Sequence, residues 1–325
     1  MVRLPPGTLC CLVASTVWML GCGSRPPTTP TAPSPVATEP VDVSPPTAPP
    51  PRPSSAPVSP DAPALIAAGD IGDCGTNGAE QTAQLLDQMP GTVVTLGDNA
   101  QGDGSAHEFQ DCYGASWGRH RYRTRPAPGN HDYNTPGASE YFSYFGDRAG
   151  PSGRGYYSFT VANWLVLSLN SETDVSPDSE QVRWLRDTLR QQPSECLAAV
   201  WHEPFVSSGP SRGTDRMRAV WALLQQYDAD FVLAGHDHFY ERFAPVNADG
   251  QVDQVSGIRS FIVGTGGGKL MGMVSKHPAS VARARTWGVL KVALSSSSYE
   301  WAFVSVAGGA VLDRGQGGCQ GPKTS

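Results

Sequence analysis

Five short polar segments, rich in Asp, Asn and His, each follow an apolar run that predicts a β-strand. In chain order they are Gly69-Asp70-Ile71-Gly72, Gly97-Asp98-Asn99, Gly129-Asn130-His131-Asp132, His202 and Gly235-His236-Asp237-His238. Carboxylate, amide and imidazole groups in this number form a ligand set for two hard or borderline cations rather than for one. Two metal ions held a few ångströms apart are suited to in-line attack on a phosphoryl group.

Each segment also has an ordinary structural interpretation when it is taken alone. A Gly-Asp pair after a strand is usually a turn, because glycine tolerates positive φ and aspartate bonds its own backbone. His202, which follows an apolar run, would more often be a hydrogen-bonded core histidine. Alternate residues of a strand-like segment point the same way, so His236 and His238 are predicted to reach adjacent metal positions. The ordered set, with every member at a strand end, favours the metal site.

The set resembles the calcineurin-like metallophosphoesterases and, within them, the purple-acid-phosphatase branch. Where the wider superfamily has Asp-x-His, this chain has Asp70-Ile71-Gly72, as that branch does. Tyr240-Glu241-Arg242 after the histidine pair also resembles that branch. The resemblance spans about residues 64–306. It implies an α/β fold, a four-layer α/β/β/α sandwich with two mixed β-sheets, and a metal-dependent hydrolase of phosphoric esters.

The resemblance also implies roles for individual residues. It assigns Asp70 and His238 to the first metal, Asn130, His202 and His236 to the second, and Asp98 to both as a bridge. His131 matches the family's catalytic imidazole, which faces the substrate phosphate without binding metal. Asp132 is expected behind His131, where a carboxylate would fix the imidazole tautomer and raise its basicity.

One position departs from the family pattern. The family motif Gly-Asp-x-x-Tyr supplies a phenolate to ferric iron, whereas this chain has Gln101 at the tyrosine position. The loss could simply leave the first metal weakly held. Alternatively, both metals are divalent. The loss of one negative ligand is then balanced by the loss of one positive charge at the metal. We therefore expect two divalent ions such as Mn²⁺, Zn²⁺ or Fe²⁺ rather than Fe³⁺, with the Gln101 oxygen as a candidate weak ligand.

The expected reaction is hydrolysis of a small phosphomonoester by a metal-bridged hydroxide, in the manner of an acid phosphatase. A phosphodiesterase of the same fold is one alternative. A surface-anchored metal- or phosphate-binding protein with weak or no turnover is the other, and the missing tyrosine supports it. Arg212 lies in the loop where some relatives carry a further histidine, and it is a candidate substrate contact. The alternative for Arg212 is an exposed, solvated side chain.

The first 63 residues predict export and tethering rather than folding. Residues 1–21 have the features of a signal peptide, whose apolar run of about a dozen residues is too short to span a bilayer. Met19-Leu20-Gly21-Cys22 resembles a bacterial lipobox, which would lipidate Cys22. Residues 22–63 are a Pro/Ser/Thr-rich linker, with 15 of the 29 prolines in 23–63. We expect a cell-envelope lipoprotein held at a membrane by its lipid, with a plainly secreted protein as the alternative.

Residues 64–325 are predicted to form the metallophosphoesterase domain. Buried strands are predicted at 64–68, 92–96, 164–169, 197–201, 231–234 and 261–263, with a hairpin over 156–169 and final antiparallel strands at 289–294 and 299–306. One helix is expected to have Ser176 as its N-cap and Pro177 as its first residue, and another to begin near Thr214. Gly264–Lys269 lacks the spacing of a nucleotide-binding loop and is expected to be a flexible loop beside the metals.

Four cysteines remain once Cys10 and Cys11 leave with the signal peptide and Cys22 carries lipid. Cys74 and Cys112 both follow metal-site strands and are therefore expected to be neighbours. The remaining pair is Cys196, at the start of a strand, and Cys319 in the Gly-rich tail. We predict disulfides Cys74–Cys112 and Cys196–Cys319, as an exported protein permits.

The net charge of −6 and a pI near 5.6 argue against a nucleic-acid partner. A local basic run is present at Arg119, His120, Arg121, Arg123 and Arg125. It could attract anionic substrates, although a solvated loop or strand face is the simpler interpretation.

Replacement of the family tyrosine by Gln101 generates a spectroscopic prediction. The metal-loaded protein should lack the visible charge-transfer band of a ferric phenolate, because no phenolate is expected at the first metal. The absorption spectrum of the pure, metal-loaded protein checks this, and a purple band would contradict it.

Overall fold

The computed structural model describes residue 59 and residues 61–321. Its strands are β1 Ala64–Ala68, β2 Thr92–Leu96, β3 Thr124–Ala127, β4 Tyr157–Val161, β5 Trp164–Ser168, β6 Cys196–Val200, β7 Phe231–Ala234, β8 Tyr240–Phe243, β9 Arg259–Val263, β10 Ser280–Ala284, β11 Gly288–Leu294, β12 Ser298–Ser305 and β13 Val311–Gly318. Its α-helices are α1 Gly78–Asp87, α2 Ala106–Glu108, α3 Ser139–Phe145, α4 Glu180–Gln191 and α5 Arg218–Gln226.

The strands form two mixed sheets. The first has the order β13-β12-β11-β1-β2-β3, in which β1, β2 and β3 are parallel and β11, β12 and β13 are antiparallel to their neighbours. The second has the order β10-β8-β9-β7-β6-β5-β4, in which β5, β6, β7 and β9 are parallel. Its outer strands β4, β8 and β10 pair in antiparallel fashion.

Two apolar clusters hold these layers together. The larger cluster contains both faces of the first sheet, residues of α1, and one face of the second sheet, represented by Trp164, Val166 and Phe231. The other cluster packs the opposite face of the second sheet against α4 and α5, with Leu185 and Trp221 fully buried. Helix, sheet, sheet and helix are thus stacked in that order, and the predicted four-layer α/β/β/α fold is confirmed.

Most predicted elements lie where the apolar pattern placed them, including the hairpin β4–β5 with Ala162 at its turn (φ 53°). The prediction for the α4 N-terminus was wrong by three residues. Ser179, not Ser176, caps this helix, because its side chain accepts the backbone N–H of Val182. A 3-10 turn that Thr214 caps precedes α5, in agreement with the predicted start.

The Gly-rich tail forms a strand that the sequence pattern did not indicate. Strand β13 pairs with β12, and its Gly315 lies against the Trp301 ring, where any Cβ would overlap the indole. Asp313 of this strand accepts hydrogen bonds from Tyr240, Arg242 and the Trp301 indole. Tyr240 and Arg242, which belong to the Tyr-Glu-Arg segment of the second sheet, therefore hold the edge strand β13 of the first sheet.

Both predicted disulfides are confirmed, Cys74–Cys112 and Cys196–Cys319. The predicted signal peptide, the lipidation site Cys22 and nearly all of the linker fall outside the described residues. Among the residues that the structure describes, no helix combines the length and the apolar character needed to cross a bilayer.

The Cys196–Cys319 bridge should contribute to the stability of β13, because β13 is an edge strand that pairs with β12 and with no other strand among the described residues. The double variant Cys196→Ser/Cys319→Ser should lose about 2–5 kcal/mol of unfolding free energy. Its β13 amides should also exchange faster than those of β1. Denaturant unfolding and hydrogen exchange measure the two effects.

The matched control is Cys74→Ser/Cys112→Ser, which removes the other bridge and should leave the protection of β13 relative to β1 unchanged. Equal protection of β13 with and without the Cys196–Cys319 bridge would contradict this account.

Candidate metal centre

The predicted ligands follow the carboxyl ends of β1, β2, β3, β6 and β7, which meet where the two sheets adjoin. Three of them have left-handed backbone conformations: Asp70 (φ 58°), Asp98 (φ 49°) and His236 (φ 71°). Such conformations are unfavourable for non-glycine residues and cluster at functional sites. The prediction that the His236–His238 segment is strand-like was wrong. The chain bends at His236, and the two imidazole rings therefore contact different groups.

Asp70 and His238 form the first group of donors. The carboxylate Oδ1 of Asp70 lies 3.2 Å from Nε2 of His238, and it is buried without a hydrogen-bond donor among the described residues. Gln101 adjoins this group, with its Nε2 3.4 Å from the same histidine nitrogen, and its buried Oε1 has no hydrogen-bond partner in the described part of the chain. A half-turn of the amide would direct Oε1 toward His238.

Asn130, His202 and His236 form the second group. Oδ1 of Asn130 lies 3.0 Å from Nε2 of His202 and 3.0 Å from Nδ1 of His236, and those two nitrogens are 3.2 Å apart. Three lone-pair atoms therefore face one point. This is the arrangement expected around a cation.

Asp98 connects the two groups. Its side chain is buried, and its Oδ2 lies 3.2 Å from Nε2 of His202. Ligand atoms of Asp70, Asp98 and His202 lie within 4.8 Å of one another. Gly129 packs so closely on Asp98 that a Cβ there would overlap Oδ1. The donor set and the unpartnered Asp70 oxygen fit the two-metal arrangement that the sequence predicted.

The carboxylates also make this pocket attractive to positive charge. Burial alone would lower the pKa of His202, but the Asp98 and Asp70 carboxylates raise it well above its usual range. Burial likewise opposes charge on His238, whose pKa Asp70 nevertheless raises to about 9. Burial and the neighbouring His202 lower the pKa of His236. Protons on His202 and His238 thus balance the negative charge of the Asp70 and Asp98 carboxylates. Divalent cations bound here would replace those protons and balance the same charge.

Backbone carbonyls fix the orientation of two ligand histidines. Nδ1 of His202 lies 2.8 Å from the Leu96 carbonyl oxygen, and Nδ1 of His238 lies 2.8 Å from that of Lys269. A carbonyl oxygen only accepts, so Nδ1 of each ring carries a proton. Nε2 is then the nitrogen that faces the site, and its lone pair would be free for a cation that replaces the proton held there. Sequence could not identify these partners, because any residue supplies a carbonyl.

The structure places His131 at the edge of the donor set. Its backbone N–H donates to Asp98 Oδ1 at 2.8 Å, and its Nε2 lies 3.9 Å from Asp98 Oδ2. Its Nδ1 donates to the Gly102 carbonyl at 2.6 Å. About a third of the side chain is exposed, and Nε2 lies on the side of the donor set.

The predicted contact between Asp132 and His131 was wrong, because Gly102 takes that place. Asp132 is fully buried and accepts N–H groups from Asn99, Ala100 and Gly129 with both oxygens. Burial and the Asp98 carboxylate raise the pKa of Asp132 to about 7, whereas these donors favour the charged form. Asp132 thus ties the loop of Asp98 to the loop of Asn130.

Two further buried carboxylates hold the loop after His202. Asp237 accepts hydrogen bonds from the hydroxyls of Ser207 and Ser211, and Glu241 accepts both the N–H and the hydroxyl of Ser208. No role of Asp237 was predicted from the sequence, although its place between two predicted ligands was the available indication. Arg212 in the same loop is exposed, and its substrate contact stays a prediction.

Two other predicted segments have clear positions. Gly264–Lys269 lies beside the site as predicted, but it is held there, since Gly266 and Gly268 donate to the carbonyls of Gly69 and Asp70. In the basic run, Arg119 pairs with Glu80 and Asp87, in accord with a structural role. Four residues of this run lie in a 3-10 helix, Trp117–Arg123, rather than in the predicted loop or strand, and Arg125 lies in strand β3.

Known proteins resemble this chain in sequence. Residues 64–240 match the family described as calcineurin-like phosphoesterase. The chain belongs to this family. Its relatives include probable purple acid phosphatase 20 of Arabidopsis thaliana, 32% identical over 139 residues that cover 40% of this chain and 32% of that protein. Purple acid phosphatase 18 of Arabidopsis thaliana is 30% identical over 220 residues, or 62% of this chain and 49% of that protein.

The family fold is also evident in solved structures. The purple acid phosphatase PPD1 of yellow lupin superposes with a TM-score of 0.62 at 18% identity, covering 79% of this chain and 53% of that one. GAP50 of Plasmodium, described as the anchor in the inner membrane complex, gives 0.64 at 17% identity and covers 80% and 90%. The chain spans about a third to a half of the length of the two Arabidopsis relatives. It lies on the purple-acid-phosphatase-like branch of the family.

The contacts of Asp132 predict that it stabilises the site through the loops. Asp132→Asn replaces one accepting oxygen by an amide that faces N–H donors, so the free energy of unfolding should fall by about 2–3 kcal/mol. Affinity for Mn²⁺ should fall as well. Denaturant unfolding and metal titration measure both, with exposed Asp187→Asn on α4 as the control. Unchanged values in both would contradict the role assigned here.

Proposed function

We propose that this protein is a metal-dependent phosphoric ester hydrolase and, more narrowly, a phosphomonoesterase of the acid-phosphatase type. The observation that carries the proposal is the position of His131. An imidazole that faces the donor set without belonging to it has no purpose in a purely structural metal site. It is suited to a phosphate bound at the metals.

The proposed ligands divide as the donor groups do. Asp70 and His238, with Gln101 adjoining, would hold one cation, and Asn130, His202 and His236 would hold the other. Asp98 would contact both. Bound cations would supply a water of lowered pKa as the nucleophile and positive charge against the phosphoryl oxygens.

The residues of the chain itself would position the ester and move a proton. Because Nδ1 of His131 is fixed on the Gly102 carbonyl, Nε2 is the nitrogen that turns toward the substrate. A proton on Nε2 can stabilise a phosphoryl oxygen and then pass to the departing alcohol oxygen, which leaves as a neutral alcohol. The hydrogen bond to Gly102 holds the ring in place during this transfer.

The proposed metals are two divalent ions, Mn²⁺, Zn²⁺ or Fe²⁺. Gln101 supports this choice because a neutral amide at the first group contributes no negative charge to offset a ferric ion. Its Oε1, which has no hydrogen-bond partner within residues 61–321, is consistent with a weak ligand. Monoesters are proposed over diesters because the similar proteins are purple acid phosphatases, and the kinetic comparison below tests the choice.

We propose further that residues 64–325 act as an exported catalytic domain, tethered by the Pro-rich linker to a lipid on Cys22. The support is the sequence pattern of the first 63 residues and the two disulfides, which are typical of oxidising compartments. Detection of acylated Cys22 in the membrane fraction by mass spectrometry would test the tether.

Activity and metal content should separate in two variants. His131→Ala should lower kcat toward 4-nitrophenyl phosphate by about 10²–10⁴-fold while two metals stay bound. Asp98→Ala should lose both activity and metal, because the shared ligand is gone. Elemental analysis beside hydrolysis of 4-nitrophenyl phosphate and bis(4-nitrophenyl) phosphate measures these quantities.

His107→Ala serves as the control, since His107 is an exposed histidine that pairs only with Asp111 among the described residues. Native turnover by His131→Ala would refute the proposed role of His131. Absence of turnover by the metal-loaded wild type on both esters would refute the hydrolase and favour the binding protein.

A further inference from the structure

A groove of about 330 Å³ runs alongside His236, one of the proposed metal ligands. The loop after β6 forms most of its wall, and its polar lining includes Glu203, Ser211, Thr214 and Arg216. A volume of this size accommodates a small organic group. Since His236 belongs to both the donor set and the groove, a phosphate at the metals would place the rest of its molecule beside this opening.

Arg216 is the cationic side chain of the groove lining, and its guanidinium is only loosely engaged. Nη1 lies 3.4 Å from Glu203 Oε2, and Nη2 lies 3.3 Å from the Thr173 carbonyl oxygen. Both distances exceed the 2.7–2.9 Å or so of a strong charge-assisted hydrogen bond. A guanidinium has five N–H donors, and nearly half of this side chain is exposed. Arg216 therefore has donors to offer an incoming anion.

We propose that the groove holds the alcohol portion of the substrate and that Arg216 selects phosphomonoesters whose alcohol carries a second anionic group, a carboxylate or another phosphate. The proposal rests on the proposed hydrolase function and narrows its substrate class. Arg216 would bind the second anion through paired N–H donors, as arginine binds planar carboxylates. Glu203 is the carboxylate that this anion would displace from Arg216.

If Arg216 has only a structural role, its substitution is expected to affect substrates differently. The same two contacts link the loop at Thr173 to the loop at Glu203, so Arg216 could serve only to hold them together. In that case, loss of either Arg216 or Glu203 would impair all substrates alike. If Arg216 instead recognises an anion, the two losses must act in opposite directions.

The test compares two substrates that differ in one group, 3-phosphoglycerate with a carboxylate and glycerol 3-phosphate with a hydroxymethyl. Arg216→Gln should lower the ratio of their kcat/KM values by about tenfold, as expected for one charge-assisted hydrogen-bond pair. Glu203→Gln should raise that ratio, because it frees the guanidinium. Arg190→Gln, at an exposed position of α4 outside the groove lining, is the matched control and should not change the ratio.

Binding gives a second measurement that does not need turnover. Calorimetry with 2-carboxyethylphosphonate and propylphosphonate should show tighter binding of the carboxylate compound by the Mn²⁺-loaded wild type, and loss of that preference in Arg216→Gln. Equal preferences in wild type and Arg216→Gln, or parallel losses on both substrates in the Arg216 and Glu203 variants, would overturn the proposal while leaving the hydrolase intact. Absence of turnover with a retained binding preference would instead overturn the hydrolase alone.

Discussion

A single buried carboxylate, Asp98, sets the constraint on which the site depends. It lies among groups from several loops, with its oxygens 2.8 Å from the His131 backbone nitrogen and 3.2 Å from His202 Nε2. Burial would raise its pKa, but the positive charge of His202 outweighs burial and lowers it. A buried charge is costly unless it is compensated. The surrounding imidazoles and the proposed cations together compensate the negative charge of Asp98 and of the second carboxylate, Asp70.

The fold brings this system together because parallel strands of two facing sheets end at the same place. The loops that follow are irregular, and left-handed backbone at Asp70, Asp98 and His236 bends the chain back toward a common point. Irregular loops keep a fixed shape only when their polar groups are satisfied. Buried Asp132 and Asp237 accept N–H and hydroxyl groups from neighbouring loops, and carbonyls orient the histidines. Site geometry is thus determined largely by hydrogen bonds that lie behind the ligands.

Apolar runs predicted the central strands closely, because a short run that is apolar at every position is typical of a strand buried on both faces. The cysteine pairing was predictable because it followed from the order of those strands. The left-handed bend at His236, the carbonyl partners of the histidines and the true contacts of Asp132 were not predictable, since each depends on backbone brought together from distant segments. Strand β13 was missed because glycine is depleted in strands, yet Gly315 is what allows the backbone to lie on the Trp301 ring. The sequence gives no reason to prefer Arg216 over Arg212 as a substrate contact. Only the loop conformation shows that Arg216 lines the groove and that Arg212 does not.

The most direct test of the account is anomalous diffraction from crystals of the protein grown with Mn²⁺. We expect two manganese peaks about 3.5–4 Å apart, with the Asp98 carboxylate in contact with both, Asp70 and His238 on one, and Asn130, His202 and His236 on the other. A single peak, or a pair of ions that Asp98 does not join, would contradict the conclusion that Asp98 is the shared ligand of a two-metal site.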